Sequence, residues 1–443
     1  MLAIINFLKE TWIQNAAFFQ MSSATGRTMF DYMYPIFNAI FYTILYMAVA
    51  FTTLYLIITF IVIIFGKNKS EQEFIAEKAP FVTIQIPTKN EIIALRCAEK
   101  CLGFDYPKDR YEIIIGDDSD NAEISNKINE FASRYAQVKV TKRAENIGFK
   151  PGNLNHMLKY SNGEILVIFD SDFTPDKDFL KRIITPFIYD KEVSAVQAKW
   201  NFNNFNQNMV SVLASTIVYV FHHTVLRFMN LFETGSLCGS AEAIKKEDLI
   251  NLGGWKSGSL TEDIEYSLRL HKNNKKIVYL PNLECYSEVP YIATDLYKQQ
   301  MRWAHGVIGS YKAHLKGLLI NKQTSFKRKI LSFSAGFGYM MPVFILLLFI
   351  TGTLSFITHA PGPIDLARFF TELVINVLLT SGLLIASFIA LYKEKKMRYL
   401  LKTFVASFSI GLITTYYVNK GIFKSLIGKP MQWYLLNKEV KTQ

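Results

Sequence analysis

Asp170-Ser171-Asp172 directly follows the apolar run Ile165-Leu166-Val167-Ile168-Phe169. On an extended chain residues two apart project to the same side, so both carboxylates can face one cation or one diphosphate. Hard divalent ions take such oxygen ligands and commonly complete their shell with substrate phosphate. The same tripeptide also suits an ordinary turn, and its place after a buried run leaves both readings open. Thr261-Glu262-Asp263 opens a predicted helix, where Ser259 with Glu262 makes a capping box and acidic groups suit the helix dipole. A carboxylate there, Asp263, can equally act as general base on a bound hydroxyl. Pro87-Thr88-Lys89-Asn90-Glu91 and Gly116-Asp117-Asp118-Ser119-Asp120 each follow a predicted strand and read as polar, helix-capping turns. In Gln299-Gln300-Met301-Arg302-Trp303, Arg302 can contact phosphate and Trp303 offers a flat apolar face. Both residue types also serve as anchors at a bilayer boundary.

These sites need a frame. Apolar runs at 81–87, 112–116, 138–140 and 165–170 alternate with helical patterns such as 91–102, which predicts an α/β fold with a mainly parallel sheet between residues 81 and about 305. Such sheets bind ligands beyond the carboxyl ends of their strands, where three of the polar segments fall. The four cysteines, Cys97, Cys101, Cys238 and Cys285, lack the spacing of a metal site and read as reduced, buried thiols.

The 443 residues exceed what a mini-protein needs, and a composition half hydrophobic with only 19% charged residues excludes intrinsic disorder and leans towards membrane proteins. The uncharged runs 32–66 and 330–364 are each longer than the ~20 residues a crossing needs, and 373–392 just reaches it. All three are expected to span, with Pro342 a candidate kink in the second. Residues 403–419 are short and polar for a crossing and read as interfacial. Residues 209–221 are apolar but run into His222, His223 and Arg227, and read as a helix outside the bilayer. Lys67, Lys69 and Lys78, then Lys327, Arg328 and Lys329, then Lys393, Lys395, Lys396, Arg398 and Lys402 flank the three spans, which places these flanks and the domain between them in the cytoplasm. The net charge of +12 suits nucleic acid, anionic lipid or a phosphate-bearing substrate. Because the basic residues gather at membrane flanks, nucleic acid is the poorest fit.

Taken in order, Asp117-Asp118, Asp170-Ser171-Asp172, Thr261-Glu262-Asp263 and Gln299 to Trp303 resemble the motifs of the processive family 2 membrane glycosyltransferases. Phe149-Lys150-Pro151-Gly152-Asn153-Leu154-Asn155 and Cys238-Gly239-Ser240 are similar to that family's linking turns. Gln197-Ala198-Lys199-Trp200 and Gly253-Gly254-Trp255-Lys256 look closest to the cellulose-synthase-like mannan and glucomannan synthases of plants, and Gln432 to Lys438 resembles a gating segment. Leu436 stands where that segment has Thr, and Lys89 where the first motif commonly has Tyr.

The resemblance implies an α/β GT-A (Rossmann-like) catalytic domain set between transmembrane helices, and an inverting transfer of hexose from a nucleotide sugar, UDP-glucose or GDP-mannose, to a growing β-linked polysaccharide. A glycolipid synthase acting on a lipid acceptor is the alternative. It assigns Asp263, Glu262 and Thr261 to catalysis, and Thr88, Glu91, Asp118, Lys150, Asp170 and Arg302 to the donor. Asp172 and Asp170 hold Mg²⁺ or Mn²⁺, Trp303 and Gln299 meet the acceptor, and Trp433 and Lys438 gate the site. The expected organisation is a first segment and crossing over 1–66, a linker over 67–79, the catalytic domain over 80–305, an interfacial region over 306–329, two crossings over 330–392, and an interfacial helix with a gating-like tail over 393–443. A multi-pass protein of the cell membrane follows, touching membrane lipids. Its few spans leave room for a homo-oligomer or an accessory export subunit to complete a channel.

Overall fold

In the computed structural model the described residues are 29–66, 72–358, 366–379 and 381–434. Seven strands form one sheet in the order β3-β2-β1-β4-β6-β5-β7. They are β1 (Val82–Thr88), β2 (Tyr111–Asp117), β3 (Val138–Lys142), β4 (Ile165–Ile168), β5 (Val193–Phe202), β6 (Glu242–Lys245) and β7 (Lys276–Ser287). β1 pairs in parallel with β2 and β4, β2 with β3, and β5 with β7; β6 alone runs antiparallel, between β4 and β5. Every residue of β1, β2 and β4 is buried, as expected of strands covered on both faces. The period-2 alternation is explicit: Ile113 and Ile115 join one core with Ile84, Ile86 and Val167, whereas Ile114 joins the opposite core with Leu166 and Ile168. The four strands expected from sequence lie within two residues of the observed ones. Cys97, Cys101 and Cys285 are buried free thiols in the first core, and Cys238 is a free thiol with partial exposure.

The chain divides into two compact units, Met1–Ile57 with Gly338–Ile385, and Ile58–Phe337 with Ala386–Gln443. The described residues of the first are almost all helical. Phe51 meets the Phe344 ring edge-on at 5.9 Å, and Thr52 Oγ1 donates to the Leu379 carbonyl at 3.1 Å. Among the described residues three helical stretches are long and apolar enough to cross a bilayer, Tyr32–Phe65, Met209–Asn230 and Phe326–Thr358.

The third expected span, 373–392, falls on Leu366–Leu379 and Gly382–Lys393, with residue 380 between them outside the described residues. Pro342 does not kink the second, because a 3-10 turn over Ser334–Tyr339 precedes it and Pro342 sits in the opening turn of Met340–Thr358, where its missing N–H costs nothing.

Met209–Asn230 belongs to the second unit and is largely buried there. Asn208 at its start donates to the Tyr291 carbonyl beyond the end of β7, and Asn230 at its finish accepts from Tyr279 N near the beginning of β7. These bonds hold both ends of the helix to residues at either end of one strand. Residues 403–419, expected as one interfacial helix, form parts of two, Leu400–Phe408 and Ile410–Leu426, which meet at a bend of 53°. Both pack on the second unit, Tyr399 edge-on to Phe205 and Tyr417 stacked on Tyr297, while Leu401, Phe404, Phe408, Leu412 and Tyr416 remain exposed. Such a one-sided apolar face suits a bilayer interface, and by length and composition the bent pair also passes as one broken span.

Candidate active site

The parallel strands β1, β2 and β4 end on the same side, and the polar segments follow them directly. After β4, Asp170 N donates to Ser240 Oγ at 2.8 Å and Asp172 accepts from Glu288 N at 3.1 Å. After β1, Thr88 is buried with its hydroxyl on the Glu91 carbonyl at 3.2 Å, and the Glu91 carboxylate accepts the Ser171 hydroxyl. Glu91 therefore stands beside the Asp-x-Asp turn. After β2, Asp118 is gripped by Arg143, whose Nε lies 2.9 Å from Oδ1 and whose other nitrogen reaches Oδ2. Arg143 was not singled out by sequence; a basic residue soon after the edge strand carries no distinguishing mark.

Lys150 is the hub. Its nitrogen lies 2.8 Å from Asp170 Oδ1 and 3.0 Å from Glu262 Oε1, and also donates to the Gly239 carbonyl at 2.5 Å. The Lys150 side chain is only 10% exposed, so three segments distant in sequence meet at one ammonium. Its position is set by Gly148 and Phe149, both left-handed, at φ +81 and +56, at the start of the Phe149–Leu158 helix. For Phe149 that conformation is strained, a feature that concentrates at functional sites.

Gly239, at φ +88, threads between Lys150 and Asp263: a Cβ there would lie 3.5 Å from the Lys150 nitrogen and 3.6 Å from the Asp263 carboxyl carbon. Its N–H is held by Glu242 Oε2 at 2.9 Å. Glu242 was also missed, although a carboxylate two residues past Cys-Gly-Ser in an apolar strand is a readable oddity.

The Glu262–Lys272 helix starts after Thr261, whose side chain makes no cap. The capping box expected between Ser259 and Glu262 does not form, because Glu262 is turned to Lys150 instead. Thr261 is buried with its hydroxyl 3.4 Å from Ser310 Oγ.

Gln299, Arg302 and Trp303 share the helix Ala293–Ile320, all half-buried. Arg302 donates to the Leu260 carbonyl at 3.1 Å, and its guanidinium lies 4.0 Å from the ring centre of Trp433, which also stacks on Phe149. Lys438, with Leu435, Leu436 and Asn437, lies outside the described residues, as do Lys67 and Lys69.

Crowding of carboxylates sets the electrostatics. Burial, then the neighbouring Glu262, pushes Asp263 up to about 7. Burial, then Asp263, pushes Glu242 up to about 8. Burial works against the Lys150 charge, but Asp170 and Glu262 outweigh it and hold the ammonium protonated well above its ordinary value. Asp263 is thus a carboxyl poised near neutrality, as a general base requires.

Among the described residues no three His, Cys, Asp or Glu side chains converge into a complete metal cage. The donor type nonetheless suits a hard divalent ion, which is often held by one or two carboxylates together with substrate phosphates. Asp170, one-third exposed, and the buried Asp172 present that chemistry on either side of Ser171.

Residues 79–306 match the family model described as glycosyltransferase like family 2. Among characterised proteins the chain is 28% identical over 282 residues to glucomannan 4-beta-mannosyltransferase 2 of Arabidopsis thaliana, covering 60% of this chain and 52% of that protein. It is 28% identical over 272 residues to beta-monoglucosyldiacylglycerol synthase of a Nostoc strain, covering 60% and 57%. The chain spans about half the length of the curated relatives it matches. Among solved structures, a mannosyltransferase of Pyrobaculum calidifontis in complex with GDP-Man and Mn²⁺ superposes with TM-score 0.59 at 17% identity, covering 84% of this chain and 99% of that one. It shares the fold.

Proposed function

Because this chain belongs to glycosyltransferase like family 2, we propose that it is a membrane-embedded, inverting hexosyltransferase that extends a β-linked polysaccharide from a nucleotide sugar such as GDP-mannose or UDP-glucose, on the cytoplasmic face. The observation that carries the reading is the meeting of Asp170, Glu262 and the Gly239 carbonyl at Lys150, which gathers three motifs into one cleft beyond the strand ends. The names of the mannosyltransferase relatives and the GDP-Man bound to the archaeal structure favour mannose as the hexose.

In this reading the donor diphosphate lies over Asp170, Lys150 and Arg302, and its nucleoside reaches towards Thr88, Glu91 and Asp118. Mg²⁺ or Mn²⁺ held by Asp172 and Asp170 would neutralise charge on the leaving diphosphate. Asp263 takes the proton from the acceptor hydroxyl, while Glu262 and Thr261 fix the start of its helix. Trp303 stacks under the acceptor sugar with Gln299 alongside, so that positioning supplies much of the rate. Trp433 and Lys438 close over the phosphates as a lid.

A second reading, transfer of one or a few hexoses to a membrane lipid, is favoured by the Nostoc glycolipid synthase, which is matched over a larger share of its own length than the Arabidopsis mannosyltransferase. Purified protein given a panel of nucleotide sugars with Mn²⁺, followed by solvent partition and enzymatic digestion, separates the two. A glycosidase-sensitive product that stays out of organic solvent is expected. A product that partitions wholly into solvent would replace the polysaccharide reading with the lipid one, and no turnover of any donor would end both.

A further inference from the structure

Between residues 386 and 434 the sequence holds eight Lys and Arg and a single acid, Glu394. That acid is not at the surface. Its side chain is 4% exposed, with Oε1 2.6 Å from the Lys199 nitrogen and 2.5 Å from His223 Nε2, and Oε2 3.4 Å from Asn201 Nδ2. Lys199 is shared with Glu284 at 2.7 Å, and nearby Lys396 donates to Tyr219 at 2.7 Å and to Asn201 at 3.3 Å. A carboxylate buried this deeply is costly unless paired and hydrogen-bonded. Here burial opposes the charge, but the bonds from His223 and Lys199 carry Glu394 down to about 2, so it is ionised throughout the physiological range.

The partners come from elements next to the cleft. Lys199 lies on β5, and His223 on a π-turn, Phe221–Leu226, that interrupts the long helix antiparallel to β7. The wide turn buries both histidines. While His223 faces Glu394, His222 meets the Tyr279 hydroxyl at 3.1 Å and packs on the Trp200 ring at 5.9 Å. Trp200, next to Lys199, donates from its indole to the Ser240 carbonyl at 2.9 Å, and Gln197 donates to the same oxygen at 3.0 Å. Ser240 Oγ in turn accepts the Asp170 N–H, and the adjoining Gly239 carbonyl holds Lys150. Lys199 is thus next to Trp200, the ring that fixes the Cys238-Gly239-Ser240 turn, and His223 is next to His222, which packs on that ring.

We propose that Glu394 is a positioning residue: its carboxylate seats the basic stretch after the helix Gly382–Lys393 on β5 and the π-turn and, through Trp200, holds the Cys238-Gly239-Ser240 turn where Lys150 and Asp170 receive the donor diphosphate. This rests on the hexosyltransferase reading. π-Turns inserted in long helices are frequent at functional sites, and this one supplies His223 to Glu394 and His222 to Trp200.

The test uses the full chain in detergent or nanodiscs. Glu394→Gln keeps size and removes the charge; titration with GDP or UDP in the presence of Mn²⁺ and the donor KM are measured alongside thermal stability. Nucleotide affinity is expected to weaken, and donor KM to rise, about tenfold in the folded protein. A variant that loses only stability or active fraction, with nucleotide affinity and KM unchanged, would show Glu394 to be structural and overturn the proposal. If Glu394→Gln does not accumulate, Glu394→Asp withdraws the charge by one methylene and is read in the same way. Wild-type protein that binds neither nucleotide brings down the transfer reading and this proposal with it, whereas equal binding by wild type and variant brings down this proposal alone.

Discussion

Gly306 approaches Thr261 so closely that a Cβ added to it would lie 2.6 Å from the Thr261 methyl carbon and 3.0 Å from its backbone nitrogen. This contact lets the helix carrying Arg302 and Trp303 lie against the start of the helix carrying Asp263. Gly306→Ala is therefore expected to push Thr261 and the residues after it away from the cleft. Overpacking of this kind costs about 1–3 kcal/mol, and small displacements of a reacting group can cost ~10²-fold in rate. A fall in kcat of about 10- to 100-fold at unchanged nucleotide affinity is the expected result of steady-state kinetics paired with nucleotide titration. Wild-type kcat would show that the contact has no bearing on Asp263.

Asp263 is raised to about 7 by burial and by Glu262. A general base must be deprotonated, so kcat/KM should climb as pH rises through about 7 and level off above it. Asp263→Asn cannot take the proton and should lose ~10²-fold or more of transfer, in line with general-base contributions, while still binding nucleotide. A flat profile from pH 5.5 to 8.5, or near-normal turnover by the variant, would remove Asp263 from that role.

The strands β1, β2 and β4 were legible because they are continuous buried runs rich in Ile and Val, which leave little choice of conformation, whereas β5, β6 and β7 were not singled out. Ile113, Ile114 and Ile115 announce a strand covered on both faces. The placement of three polar segments was legible for the same reason, since Thr88 to Glu91, Asp117 to Asp120 and Asp170 to Asp172 each close or follow such a run. What joins them was not. Lys150 reads as one basic residue in a turn, and nothing in its neighbours states that its nitrogen will lie between Asp170 and Glu262. Glu262 reads as the partner of Ser259, because a capping box is a local pattern; the contact with Lys150 is made across the fold and wins by pairing opposite charges in a buried place.

Glu242 offers a test of the electrostatics that does not pass through turnover. Burial and Asp263 raise it from an ordinary 4.5 to about 8. Between those values the folded state keeps a proton that the unfolded chain has released, so this residue removes stability as pH rises from about 4.5 to about 8. Glu242→Gln abolishes that term and can still accept the Gly239 N–H. Its melting temperature relative to wild type is expected to rise steadily between pH 5 and 8 and to change little beyond. A difference independent of pH would mean that Glu242 is not held protonated by its surroundings.

Trp433 lies over the Arg302 guanidinium at 4.0 Å and stacks on Phe149 at 6.1 Å, while Met431 beside it is buried. Stacking takes the face of a guanidinium, whereas phosphate recognition takes its edge, so the tail can hold Arg302 in position for a donor phosphate. Cation–π contacts of this kind are worth about 0.5–2 kcal/mol. Trp433→Ala should accordingly raise donor KM about 2- to 30-fold, with Trp433→Phe recovering part of the loss because it retains a ring. Truncation after residue 429 should do at least as much, since it removes Met431 and the rest of the lid as well. Unchanged donor KM in the truncated protein would show that the tail covers the site without contributing to it, and the lid would have to be abandoned.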